Sequence, residues 1–208
     1  MKAVNYLLSA AVASVMLVST SYATTKPSQV THFTASKTSD VFNVRASGWS
    51  DPKFGDLGWV HSSDWGDFYA NKGQLVTITM VAQEKGMHPG ASVYFRGAND
   101  TADDEYIPDV ALTQNQTMAK WGASDDDTGE PLGDIVMQYI THGYDGDGAP
   151  KSVNPSFKKI LDKKPGTLVL KFRAPSTGKY MFVSGGYKPA PFVNSKVGHA
   201  VNVTVNVK

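Results

Sequence analysis

The sequence predicts an all-β protein: a single β-sandwich or jelly-roll-like domain with long acidic loops and little helix. Three observations carry that prediction. Apolar residues recur mainly with period two, turn-forming residues punctuate the gaps, and only one short stretch has a helical period. The clearest strand is at the C-terminus, where Val201, Val203, Val205 and Val207 alternate with Asn202, Thr204 and Asn206. That pattern gives one buried and one wet face. Leu75–Ala82 repeats it, with Val76, Ile78, Met80 and Ala82 on one face. Residues 41–46, 92–96, 135–141, 167–173 and 179–184 are predicted strands as well. Gly, Pro, Asn and Asp fill the gaps as turn chemistry requires, and many short strands so spaced favour a sandwich. The stretch 155–162 predicts a short helix, with Phe157, Ile160 and Leu161 on one side. Two long connections, 97–109 and 121–134, are rich in acidic residues, and loops of that length are usually functional or mobile.

The N-terminus predicts export. Met1 and Lys2 supply a positive start, and the apolar run from Leu7 to Val18 is too short for a permanent membrane helix. Ser21 and Ala23 place small residues where signal peptidase needs them, so cleavage is expected after Ala23. Residues 1–23 are then a signal peptide. Residues 24–208 form one mature β domain with a flexible start over 24–30, and no second apolar run predicts a transmembrane segment. The expected destination is the periplasm, the outer cell surface or the medium.

Composition narrows the chemistry. The 208 residues include 20 basic and 19 acidic side chains and no cysteine. Loss of Lys2 with the signal leaves the mature chain formally neutral, with no arginine cluster, which excludes a broad nucleic-acid footprint. Without cysteine there is no disulfide framework and no thiolate. A metal would need His, Met, carboxylate, carbonyl or a modified side chain.

The tightest constellation is the segment 58–69, Gly-Trp-Val-His-Ser-Ser-Asp-Trp-Gly-Asp-Phe-Tyr. In an extended chain Trp59 and His61 project from the same face. From spacing alone, a core aromatic beside a surface histidine explains this better than a binding site does. Of the other histidines, His32 falls in the flexible start and His88 in the turn 86–90, where Met87 adds a thioether. His142 ends the strand 135–141, and His199 opens the final strand. Imidazole with thioether or another neutral donor suits copper, particularly Cu(I), whereas zinc needs three or four convergent ligands that no local cluster supplies. Asp100, Asp103, Asp104 and Glu105 form one acidic cluster, and Asp125, Asp126, Asp127 and Glu130 another. Oxygen-rich loops of this kind can hold calcium or simply carry solvated charge. Asp145-Gly-Asp147-Gly resembles the start of an EF-hand but lacks the third acid and has Ser156 where the bidentate Glu belongs. No phosphate loop, nucleophile elbow or S-x-x-K sequence is present, so no enzyme is predicted.

The segment 58–69 resembles the copper-binding region of the MopE and CorA type of surface protein, which methanotrophic bacteria make under copper limitation. The resemblance implies that Trp59 is oxidised to kynurenine. Its amine, His61 and a second, distant histidine would then hold Cu(I). His142 is the expected second histidine, with His88 and then His199 behind it. Family members also carry calcium, which would suit Asp100, Asp103, Asp104, Asp125, Asp126 and Asp127. An amine and two neutral imidazoles form an uncharged set that suits Cu(I) and survives an oxidising exterior, with Asp64 or Asp67 available to orient an imidazole. The expected function is therefore an exported protein that captures or holds Cu(I), not an enzyme, with no delivery partner indicated. The alternative is a calcium-stabilised β-sandwich binding carbohydrate or a protein partner on Trp49, Trp65 and Trp121. A copper-dependent redox enzyme is the third reading.

Overall fold

The computed structural model describes residues 24–25, 30–45, 64–103, 105–108, 117–125, 127–148, 158–188 and 198–208. The expected signal peptide lies outside them. The described residues form strands and turns with no helix. They contain β1 (Thr24–Thr25), β2 (Val30–His32), β3 (Ser39–Arg45), β4 (Trp65–Ala70), β5 (Leu75–Ala82), β6 (His88–Arg96) and β7 (Ile107–Pro108). There follow β8 (Met118–Ser124), β9 (Pro131–Asp145), β10 (Lys159–Ile160), β11 (Thr167–Arg173), β12 (Gly178–Tyr187) and β13 (Gly198–Val207). One sheet has the order β10-β9-β6-β12-β4-β2, with β8 also paired to β9, and a second has the order β11-β5-β13-β3. β1 pairs with β7.

The two sheets pack face to face, as predicted. Phe42 and Val44 of β3, Val76, Ile78 and Met80 of β5, and Val201, Val203 and Val205 of β13 supply one side. Phe68 of β4, Val93 of β6 and Tyr180 and Phe182 of β12 supply the other. Phe182 stacks on Phe42 across the layers with ring centroids 5.8 Å apart. The larger sheet is buried on its outer face too, where Trp65, Tyr94, Met118, Ile135, Met137, Met181 and Val183 form a second core. A strand buried on both faces loses its alternation. This is why β6 and β12 extend beyond the predicted 92–96 and 179–184.

Several expectations are corrected. The stretch 155–162 is not a helix where it is described: Lys159 and Ile160 form β10, parallel to β9 at Tyr144 and Asp145. Eight residues make barely two turns, too few to outweigh helix nucleation, whereas pairing with β9 satisfies the backbone directly. Tyr144 N–H donates to Lys158 C=O at 3.1 Å and Gly146 N–H to Ile160 C=O at 3.0 Å. The supposed loop 121–134 is mostly the end of β8 and the start of β9, joined by a turn in which Asp125 accepts from backbone. At the start, Thr24 and Thr25 pair with β7 and His32 belongs to β2.

Candidate metal centre

One end of the sandwich gathers His88 and His199, the buried histidines among the described residues. The pairing registers bring together there the end of β3 at Arg45, the start of β4, the end of β5, the starts of β6 and β13, and the end of β12. Arg45 and Asp64 flank the segment that carries Trp59 and His61. Those two residues, with Trp49, Asp104 and Asp126, lie outside the described residues.

His199 enters this end through the alternation of β13. It lies in phase with buried Val201, Val203 and Val205 and is itself buried. Its Nδ1 is bonded to the Glu84 carboxylate, which also accepts from the buried ammonium of Lys188. Those two contacts, Lys188 first, hold the Glu84 carboxyl below its ordinary range. With the proton on Nδ1 directed at Glu84, the Nε2 lone pair is the free position. That Nε2 is buried without a hydrogen-bond partner among the described residues. A buried polar atom in that state costs about 1–3 kcal/mol and is a position that a water or a metal ion can satisfy. An imidazole held through one nitrogen by a carboxylate, with the other nitrogen open, is how metal-binding histidines are oriented.

His88 lies close by. Its Nδ1 bonds Asp145 Oδ2 at 2.8 Å, and that fully buried carboxylate also accepts the Gly166 N–H at 2.6 Å. His88 lines a cavity of 470 Å³ shared with Glu84, Lys85, Asp147 and Pro165. Met87 is packed in the apolar core, where a Cβ on Gly186 would strike its Cε.

His142 is differently placed. It lies inside β9, not at its end, opposite Ser92 of β6. Its Nε2 accepts the Lys158 backbone N–H at 3.1 Å, which leaves the proton on Nδ1, 2.5 Å from the Tyr139 hydroxyl. Both ring nitrogens are committed to the fold. Burial, and then the Lys158 charge, push its pKa down. His32 bonds Asp67 at 2.7 Å, so Asp67 serves that exposed imidazole. Asp64 ties β3 to β12: its carboxylate accepts the Asn43 N–H at 2.5 Å, and its carbonyl accepts the Ser184 hydroxyl at 2.9 Å. Burial pushes the Asp64 carboxyl up.

Asp100, Asp103 and Asp125 accept hydrogen bonds from the protein's own donors. Arg96 binds both oxygens of Asp100, with Nη2 3.0 Å from Oδ1. Asp103 accepts the Glu105 N–H at 3.1 Å, and Asp125 accepts the Asp127 N–H at 2.9 Å and Thr128 N–H at 2.8 Å. Asp127 is exposed. Among the described residues no three His, Asp or Glu side chains converge as a metal site. Trp65 is fully buried and cannot be a binding platform, whereas Trp121 is exposed.

The copper(I)-binding, CorA-like family model matches residues 21–194. The chain belongs to this family. It is similar to CorA of Methylomicrobium album BG8, a surface-associated copper-binding protein important in that bacterium's copper acquisition. The identity is 30% over 88% of this chain and 99% of that chain, with a TM-score of 0.78. It also shares the fold of the secreted protein MopE of Methylococcus capsulatus, in which an oxidised tryptophan facilitates copper binding. There the identity is 16% over 88% of this chain and all of that chain, with a TM-score of 0.56. No curated protein matches the sequence. Copper binding is thus the property of the family to which the chain belongs, and the open Nε2 of His199 is a donor of the type that copper needs.

Proposed function

We propose that this chain is an exported protein that captures and holds Cu(I) at the cell surface by binding, without turnover. His61, an oxidised Trp59 and His199 supply the ligands. Family membership and the similarity to a surface-associated copper-binding relative support copper and export. The observation that carries the site is the buried, unpartnered Nε2 of His199. Its position agrees with the chain's connectivity. His199 pairs with Val44, the neighbour of Asn43, which is bonded to Asp64. His61 is three positions before Asp64, so their Cα atoms lie within about 11 Å. His142 is the weaker second ligand, because copper would have to displace one of its two internal bonds.

The test is competition for Cu(I) against a chromophoric chelator, with mass spectrometry of the Trp59 peptide on the same native sample. His61→Ala and His199→Ala are expected to abolish stoichiometric binding, and His142→Ala to leave affinity intact while lowering stability. Kynurenine adds about 4 Da at Trp59 alone. Unchanged affinity in His199→Ala, with loss in His142→Ala, would return the second ligand to His142.

A further inference from the structure

Beside the histidine-bearing end, the chain carries a basic loop that the copper reading does not use. Lys158, Lys159, Lys163 and Lys164 are exposed, and between them Leu161 has 68% of its surface in water, the most of any large apolar residue described. What sets this leucine apart is its setting, an apolar side chain flanked on both sides by lysine pairs.

The loop is also built to keep its shape. Asp147 Oδ2 accepts the N–H groups of Asp162 at 2.8 Å and Lys164 at 3.1 Å, and Asp162 Oδ1 accepts Lys164 N–H at 2.9 Å. Asp145 holds Gly166, and β9 pairs with Lys159 and Ile160. The acidic groups are therefore spent on the loop's base, facing its backbone. None of the four lysines joins an ion pair among the described residues. Lys85 lines the adjoining cavity and adds a fifth positive charge.

We propose that this loop docks the protein on an anionic, phosphate-bearing lipid surface, with Leu161 entering the headgroup boundary and the lysines on the phosphates. Lysine acts as a hydrated point charge on a flexible apolar stem, which suits a fluid array of headgroups better than one fixed carboxylate. A nucleic acid would call for a wider basic field than this balanced chain provides. One leucine and a few lysines give weak, reversible attachment. Because β10 lies against the strand end whose Asp145 holds His88, docking turns the histidine-bearing end toward the membrane.

The test is co-sedimentation of the purified mature chain, residues 24–208, with vesicles of phosphatidylcholine alone or with added phosphatidylglycerol. Binding is expected on the anionic vesicles only, weakening as salt rises. Each Lys→Gln change among the four should lower the partition coefficient about fivefold. Leu161→Ser should lower it severalfold with the salt dependence unchanged, and free inorganic phosphate should not compete. Circular dichroism and copper stoichiometry should be unaltered in the four-glutamine variant, which separates this surface from the metal site. Equal binding to neutral vesicles, no binding to anionic ones, or wild-type binding by the folded four-glutamine variant would overturn the proposal.

Discussion

Glu84 does three jobs with one carboxylate: it anchors Lys188, fixes His199 through Nδ1, and leaves Nε2 as the donor position. Glu84→Gln removes the charge that selects this tautomer. Cu(I) affinity is expected to fall about 10–100-fold, read by chelator competition, with no loss of folded protein at neutral pH. An unchanged affinity would mean that His199 is not a ligand. The sequence did contain a signal for this residue. The alternation that identifies β13 places His199 in the same phase as Val201, Val203 and Val205, so extending it two residues towards the N-terminus marks a histidine on the core face. Its partners were not legible, because Glu84 and Lys188 lie in turns and strand ends far along the chain. The commitment of both His142 nitrogens was equally hidden, since it depends on Lys158 returning beside β9.

At the level of elements, the two sheets are joined by aromatic contacts centred on β12. Phe182 meets Phe42, Phe33 and Phe68 with ring centroids 5.8, 5.7 and 6.2 Å away. Phe182→Ala should cost about 3–5 kcal/mol in denaturant unfolding, from lost burial plus the cavity left behind. β9 adds a pH dependence. His142 is held neutral, with its pKa below the ordinary histidine value, chiefly by burial. In the unfolded chain it binds its proton first as pH falls, so the contribution of its two bonds is complete above about pH 6.5 and lost below it. The metal-free protein should therefore lose stability on acidification through that range, and His142→Gln should flatten the slope. An identical slope in the variant would assign it to other groups. Strands exposed on one face, such as β5 and β13, were plain from alternation. β6 and β12 were recognised but drawn short, because burial on both faces erases the period on which the prediction relies.

For the whole molecule, a ligand that binds only the folded form adds stability in proportion to the logarithm of its excess. At a hundredfold excess over the dissociation constant this is about 2.7 kcal/mol. Cu(I) loading should raise Tm, a Cu(I) chelator should reverse the rise, and His199→Ala should show neither change. The sandwich itself was legible from strand count and turn spacing. The second core on the outer face of the larger sheet was not, since nothing local in 97–108 announces that it covers Trp65 and Tyr94.

The place of β13 in the smaller sheet bears on how the protein is made. It is an interior strand, paired on one side with β5 and on the other with β3, and Thr204 meets Ser39. Every partner it needs is synthesised long before it, so the smaller sheet has a gap at its centre until residues 198–207 emerge. Pairings so distant in sequence form slowly. A chain delayed in this way cannot close its sandwich until its last strand is made, which suits the export proposed above.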